Sequence, residues 1–133
     1  APSPYAASKR AAEAFCESAA ALHGTPTTSL RLFSVYGPRG RPDMAPDTFL
    51  RQALAGRPLS VLGDLRAFRD WVYVDDVAAA FVAALARPPE AGFGHQAPYR
   101  ALNVARGEPV TLQELVEACG RAAGRGGGVG GER

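Results

Sequence analysis

Strand-like segments alternate with helix-like segments along this chain. Residues 27–37 and 68–74 are rich in β-branched and aromatic residues, whereas residues 4–23 and 77–86 are rich in alanine. The first composition is typical of strands and the second of helices. Alternation of the two predicts an α/β fold with a mostly parallel sheet.

Capping residues mark the predicted helices, which cover residues 4–23, 45–55, 77–86 and 111–123. The first follows Ser3, a good N-cap, and the last opens with the capping box that Thr111 and Glu114 form. Asp75 and Asp76 precede the third helix, and we expect them to cap it.

The predicted strands cover residues 27–37, 59–63, 68–74 and 101–105. The first leads into a loop rich in proline, glycine and arginine, which is typical of a functional turn. Residues 124–133 contain six glycines, so we expect a flexible tail there.

Composition excludes several classes of protein. The chain has 133 residues and a net charge of +2, and its arginines are scattered, which argues against a nucleic-acid partner. The longest apolar run, residues 77–86, is half of the ~20 residues that a membrane span requires. We therefore expect a cytoplasmic protein, with Cys16 and Cys119 as buried free thiols.

The chain has fourteen arginines but a single lysine, Lys9, four residues after Tyr5. Residues four apart lie on one face of a helix. A nearby ammonium and the helix N-terminus both favour the phenolate of Tyr5, which could then act as a base near neutral pH. The alternative is a surface lysine beside a tyrosine in the first helical turn.

One element of a nucleotide-binding α/β protein is missing from the predicted order. Such a protein needs a Gly-rich turn between an early strand and helix, where backbone amides bind pyrophosphate. Here the chain opens on a helix, and its glycine-rich tail follows one. We therefore expect the C-terminal part of a larger protein.

Four segments together resemble the C-terminal half of the extended short-chain dehydrogenase/reductases, in order and spacing. They are SPYAASKRAAE, LRLFSVYGPRGRPDMAP, VLGDLRAFRDWVYVDDVAAAFVAAL and LNVARGEPVTLQELVE. Within that family they are most similar to the NAD-dependent nucleotide-sugar epimerases and dehydratases. The motif GRPDMA resembles UDP-glucuronate 4-epimerases most.

The resemblance implies the C-terminal part of a Rossmann-type doubly wound sheet plus a small α/β substrate-binding region. Residues 1–44 would end the NAD-binding portion, residues 45–123 would bind the UDP-sugar, and residues 124–133 would form the tail.

The resemblance also implies roles at the cofactor. Tyr5 would be the catalytic base that takes a proton from a sugar hydroxyl. Lys9 would bind the nicotinamide ribose of NAD and favour the phenolate of Tyr5. Val35, by its place in FSVYGP, would lie at the nicotinamide.

Three further residues would bind the substrate. Ser34 would lie beside the sugar and its phosphate, Arg41 near the sugar, and Arg69 on the diphosphate of UDP. The alternative for Arg69 is a surface ion pair with Asp70. Leu65 replaces a glycine that is usual in the family, which would strain the turn before Arg69 if that turn requires a positive φ.

The resemblance implies an NAD-dependent epimerase that acts on a UDP-sugar and forms a homodimer at full length, with no membrane partner. This chain alone would be inactive. Two alternatives stay open: a sugar-nucleotide dehydratase or decarboxylase of the same family, and an inactive fragment that binds nucleotide or another protein.

Overall fold

The computed structural model describes residues 3–90 and 98–124, and the chain divides into two compact units. Unit 1 consists of Ala1–Leu32 and Asp75–Val104, and unit 2 consists of Phe33–Val74 and Ala105–Arg133. The units are therefore interleaved along the sequence. The functional division at residue 45 stays a prediction.

In the described residues single helices alternate with pairs of short strands, which agrees with the predicted mixture of helices and strands. In chain order they are α1 (Pro4–His23), β1 (Thr27–Leu32), β2 (Ser34–Tyr36), α2 (Ala45–Leu54), β3 (Phe68–Arg69), β4 (Trp71–Tyr73), α3 (Val74–Ala86), β5 (Tyr99–Val104), β6 (Val110–Thr111) and α4 (Leu112–Ala122).

Unit 1 contains a parallel strand pair covered by α1. β1 and β5 pair in register from Thr27 opposite Tyr99 to Leu32 opposite Val104, and α1 contacts both strands. Parallel pairing needs a long crossover connection, and a helix on the sheet covers its apolar face. The predicted α/β class with parallel pairing is confirmed in this unit.

The ends of α1 follow from local chemistry. The Ser3 side chain accepts a hydrogen bond from the Ala6 backbone N–H at 3.1 Å, and Pro4 occupies the first turn. Gly24 ends the helix at φ 61°, a left-handed conformation that glycine adopts without a Cβ penalty. Both predicted ends of this helix are confirmed.

Unit 2 combines a parallel and an antiparallel strand pair with two helices. β2 pairs in parallel with β4, and β3 pairs antiparallel with β6. The apolar core lies where α2 contacts α4. Its buried members are Phe49, Ala53, Leu59, Val116 and Cys119.

The predicted strand over residues 59–63 is wrong. Leu59 is buried in the core of unit 2, and the Ser60 backbone N–H donates to Oε1 of Gln52 at 3.0 Å. The Gln52 side chain thus takes the place of a neighbouring strand as the acceptor for this backbone N–H.

Three other boundaries differ from the prediction. The strand over residues 27–37 is interrupted at Phe33, since β1 and β2 pair with different partners. The segment 68–74 likewise divides at Asp70 into β3 and β4. Asp75 and Asp76 do not cap α3: the helix begins at Val74, and both carboxylates lie in its first turn, where the helix dipole favours them.

The two thiols differ in exposure. Cys119 is a buried free thiol, as predicted, and burial raises its pKa. Cys16 is exposed, so its predicted burial is wrong. It lies on α1, where Ala20 is the one buried residue, and the alanine-rich composition of that helix gives no clear apolar stripe.

Two further predictions concern the tail and membrane-spanning helices. The predicted flexible tail lies outside them, except for Gly124. None of the helices in residues 3–90 and 98–124 combines the length and apolar character needed to cross a bilayer.

The core of unit 2 predicts a large difference between two positions on α2. Phe49 is 4% exposed and Leu54 is 67% exposed. Phe49→Ala should lower the free energy of unfolding by about 3 to 5 kcal/mol because it leaves a cavity. Leu54→Ala should change it by less than about 0.5 kcal/mol. Urea unfolding measures both, and equal losses would contradict this core.

Candidate active site

Tyr5 and Lys9 lie together on the first turns of α1. The Lys9 ammonium is 5.5 Å from the centroid of the Tyr5 ring, and the Tyr5 side chain is 72% exposed. The spacing of four residues therefore brings the phenol and the ammonium to one open surface, as predicted. Their catalytic roles stay predictions.

Lys9 keeps its hydrogen-bond donors available for a ligand. Within residues 3–90 and 98–124 its ammonium forms no ion pair, and it contacts the Tyr5 ring. A compact ammonium with three donors suits the hydroxyls of a ribose. The donor set therefore fits the nicotinamide ribose of NAD.

The next residue on the same side of α1 is Glu13, four residues beyond Lys9. Its carboxylate accepts hydrogen bonds from Nε of Arg31 at 2.8 Å and from Nη2 of Arg31 at 2.7 Å. The Arg31 hydrogen bond lowers the pKa of Glu13, and the same hydrogen bond raises the pKa of Arg31. The spacing of positions 5, 9 and 13 could have placed Glu13 beside Lys9, but its pairing with Arg31, 18 residues away on β1, has no local signal in the sequence.

Ser34 and Val35 lie at the start of β2 in unit 2. The Ser34 backbone N–H donates to the Asp70 carbonyl at 3.2 Å, and Val35 lies opposite Val72 on β4. Both residues are half-buried. Pairing with β4 therefore fixes the backbone at the two positions that the resemblance places near the nicotinamide and the sugar.

The turn after β2 has an unusual backbone. Gly40 N–H donates to the Gly37 carbonyl at 3.1 Å, and Gly37 has φ 137°. Arg39 has φ 63°, and it is the one non-glycine residue with positive φ in the described part of the chain. Strained backbone of this kind is frequent at functional sites.

Arg41 lies at the end of this turn and binds a carboxylate of its own chain. Its Nε donates to Oδ1 of Asp43 at 3.0 Å, and its Nη2 donates to Oδ2 of the same residue. This hydrogen bonding lowers the pKa of Asp43. Asp43 is not among the predicted site residues, although its position two residues after Arg41 is a local signal for this pair.

Arg69 lies on β3 and lines a recess of about 320 Å³ with Gly63, Asp64 and Trp71 among its walls. Its Nη1 donates to the Phe68 carbonyl at 2.9 Å. The turn before it has its positive φ at Gly63, not at Leu65, so the Leu65 replacement does not strain the backbone in this way.

The alternative of an ion pair between Arg69 and Asp70 is wrong. The two carboxylate oxygens of Asp70 accept hydrogen bonds from the backbone N–H groups of Arg106 and Gly107, both at 2.8 Å. Asp70 therefore fixes the segment after β5, and Arg69 forms no ion pair within the described residues. These contacts of Asp70 join residues 36 and 37 positions apart, so local sequence patterns do not predict them.

The six predicted residues fall into two groups. Tyr5 and Lys9 belong to unit 1, whereas Ser34, Val35, Arg41 and Arg69 belong to unit 2. Within unit 2, Ser34 and Val35 are neighbours on β2, and Ser34 lies opposite Trp71, which lines the recess of Arg69.

A larger cleft of about 490 Å³ also lies in unit 2. Tyr36 and Trp71 line it together with α4 side chains such as Leu115 and Arg121. None of the six predicted residues lines this cleft.

The arrangement of a Tyr-x-x-x-Lys helix with parallel strand pairs agrees with the sequence family. Residues 1–105 match the NAD dependent epimerase/dehydratase family, and the chain belongs to that family. The predicted family is thus confirmed.

Relatives and solved structures support the same assignment. The chain is 39% identical over 132 residues to a probable UDP-glucuronate 4-epimerase of Rhizobium meliloti, covering 91% of this chain and 39% of that protein. It is 34% identical over 124 residues to a UDP-glucuronate 4-epimerase of Thermodesulfobacterium geofontis, covering 92% of this chain and 36% of that protein. The chain thus spans about two fifths of the length of these relatives.

Among solved structures, the UDP-glucuronic acid 4-epimerase of Bacillus cereus in complex with UDP-glucuronic acid and NAD has a TM-score of 0.76 at 31% identity, covering 92% of this chain and 37% of that one. The Bordetella bronchiseptica enzyme WbmF in complex with NAD⁺ has a TM-score of 0.80 at 26% identity, covering all of this chain and 42% of that one. The predicted Rossmann-type fold class is confirmed.

Two glycines with positive φ predict different costs of a side chain. A Cβ on Gly37 would lie 2.7 Å from Cγ1 of Val74, whereas a Cβ on Gly63 would meet nothing within 4 Å. Gly63→Ala should cost about 1 to 3 kcal/mol through backbone strain alone. Gly37→Ala should cost about 1 to 3 kcal/mol more because its Cβ would also clash with the Val74 side chain. Urea unfolding of the two variants tests this, and equal losses would contradict the close approach at Gly37.

Proposed function

We propose that this chain is part of an NAD-dependent epimerase that inverts C4 of a UDP-sugar, and that the sugar is UDP-glucuronate. The observation that carries the proposal is the Lys9 ammonium, 5.5 Å from the Tyr5 ring centroid on the open first turns of α1. Membership of the NAD dependent epimerase/dehydratase family supplies the context for that pair.

Tyr5 accepts the proton of the C4 hydroxyl and later returns it. The Lys9 ammonium, 5.5 Å from the Tyr5 ring centroid, places a positive charge beside the phenol that exchanges this proton. Its exposed position leaves the phenol oxygen accessible to a sugar. NAD, when bound, supplies a hydride acceptor for C4 and a hydride donor for the return step.

Three residues of this chain would hold the cofactor. Lys9 would donate hydrogen bonds to the nicotinamide ribose, Tyr5 would lie beside that ribose, and Val35 would contact the nicotinamide. The Gly-rich turn that binds pyrophosphate in such enzymes is not among the described residues, so this chain contributes the nicotinamide side of the site.

Arg69 and Ser34 would bind the UDP part of the substrate. A guanidinium suits a diphosphate because its planar donors form paired hydrogen bonds with phosphate oxygens. The recess of about 320 Å³ at Arg69 leaves room for such a group. The Ser34 hydroxyl adds a small donor on β2 for the sugar.

Arg41 would bind the C6 carboxylate of the sugar. Its guanidinium already binds one carboxylate through two donors, that of Asp43, and the side chains are 74% and 63% exposed. Because the Arg41 and Asp43 side chains are already exposed, a substrate carboxylate can replace Asp43 without a change in the burial of either charge. This exchange supports an acidic sugar over a neutral one.

The full-length enzyme would be a cytoplasmic homodimer whose small-molecule partner is the UDP-sugar, with neither nucleic acid nor a membrane as partner. The net charge of this chain, +2, is smaller than is typical of a nucleic-acid-binding segment. A sedimentation measurement that gives a monomer at full length would remove the homodimer from the proposal.

The chain extended by an amino-terminal cofactor-binding half tests Tyr5 and Lys9. Tyr5→Phe should lower kcat by about 10² to 10⁴ with little change in UDP-sugar affinity, because it removes only a proton acceptor. Lys9→Arg should also lose activity, since a planar guanidinium cannot replace a compact ammonium. Tyr99→Phe is the control, as the Tyr99 hydroxyl donates to Ser29 within the strand pair. An active Tyr5→Phe or Lys9→Arg enzyme would overturn the proposed roles.

The substrate class is tested by Arg41→Ala in the same extended chain. Transition-state stabilisation from kcat/KM should fall by about 1.5 to 3 kcal/mol for UDP-glucuronate, and hardly at all for UDP-glucose. Arg51→Ala, which breaks another exposed pair, with Asp47, is the control. Equal losses on both sugars would place Arg41 on the diphosphate. A 4-keto or decarboxylated product would favour the dehydratase or decarboxylase alternative.

A further inference from the structure

Lys9 has two charged or aromatic neighbours one helical turn away on α1. Tyr5 lies four residues before it and Glu13 four residues after it, and both spacings bring side chains within reach. The ammonium lies over the Tyr5 ring at 5.5 Å from the centroid. The carboxylate of Glu13 is the more strongly attracting neighbour by charge, so its failure to bind Lys9 requires an explanation.

Arg31 supplies that explanation. Its Nε and Nη2 bind the two different oxygens of Glu13, at 2.8 and 2.7 Å. A paired guanidinium–carboxylate contact is stronger than a single contact with an ammonium. Glu13 is therefore occupied from β1, and Lys9 is left to Tyr5.

Stability is a weak reason for this ion pair. The Arg31 side chain is 53% exposed and the Glu13 side chain 28% exposed, and exposed ion pairs contribute little to folding. The pair does connect the middle of α1 with β1, but both strands already contact this helix. The larger consequence of the Arg31–Glu13 pair is that Lys9 contacts Tyr5 and not Glu13.

We propose that Arg31 is a positioning residue that acts through Glu13: by binding both carboxylate oxygens and compensating their charge, it disfavours a Lys9–Glu13 ion pair and keeps the ammonium at Tyr5. The catalytic meaning of this arrangement rests on the proposed function. The competition itself depends only on residues of unit 1.

The experiment exploits an asymmetry between the two halves of the ion pair. Arg31→Gln releases the Glu13 carboxylate, which can then attract Lys9, whereas Glu13→Gln removes the competitor. Both variants break the same contact. Because the chain has one lysine, lysine-selective isotope labelling of residues 1–133 allows the Lys9–Tyr5 ring NOE to be measured without overlap.

Arg31→Gln should reduce the intensity of this NOE by about half. An exposed Lys9–Glu13 ion pair at this helical spacing is weak, so the ammonium would divide its time between Glu13 and Tyr5. Glu13→Gln and the double variant Glu13→Gln/Arg31→Gln should retain the full intensity. Arg10→Gln is the matched control, since Arg10 influences Glu13 through charge without the paired hydrogen bonds. Arg31→Met, which keeps an unbranched side chain without a donor and adds no second lysine, should give the same reduction and replaces Arg31→Gln if that variant does not fold.

Equal loss of the NOE in Glu13→Gln and Arg31→Gln would overturn the inference, because it would make the pair a structural link between helix and strand. No change in Arg31→Gln would overturn it as well. In the extended chain, kcat should fall in Arg31→Gln and recover in the double variant. If the NOE follows the predicted pattern but the extended chain has no epimerase activity, the proposed function fails and the positioning inference stands.

Discussion

Parallel pairing of β2 with β4 is the constraint on which unit 2 depends. Parallel strands need a crossover between them, and their carboxyl ends lie at the same edge. At that edge β2 continues into the turn of residues 37–41, and β4 continues directly into α3. Val74 approaches so closely that position 37 has no room for a side chain. The turn with Arg39 and Arg41 is thereby held at the edge where ligands of open α/β sheets bind.

In unit 1 the corresponding constraint is the four-residue spacing on α1. It places Tyr5, Lys9 and Glu13 in succession on one side of the helix. Tyr5 and Glu13, the first and last of these residues, have different partners. Arg31 binds Glu13 from β1, while the exposed phenol of Tyr5 remains open beside the ammonium. Arg31 thus pairs with Glu13 at one end of this helix face, while Tyr5 at the other end stays accessible to a ligand.

The sequence predicts features that depend on neighbours along the chain. The N-cap at Ser3, the capping box of Thr111 and Glu114, and the contact of Lys9 with Tyr5 all belong to this group. Features set by distant residues were not predicted. The interruption at Phe33 depends on two different partner strands, and the role of Asp70 depends on backbone groups 36 and 37 residues away. Local patterns carry no register, so such contacts need the folded structure.

The central claim is that this chain belongs to an enzyme that oxidises and reduces C4 of one sugar within one site. The most direct measurement follows UDP-glucuronate deuterated at C4 through the chain extended by a cofactor-binding half. The account predicts that the C4 epimer forms and retains the deuterium at C4, without exchange with water. Formation of the C4 epimer with loss of the label to solvent, or a complete absence of that epimer, would contradict it.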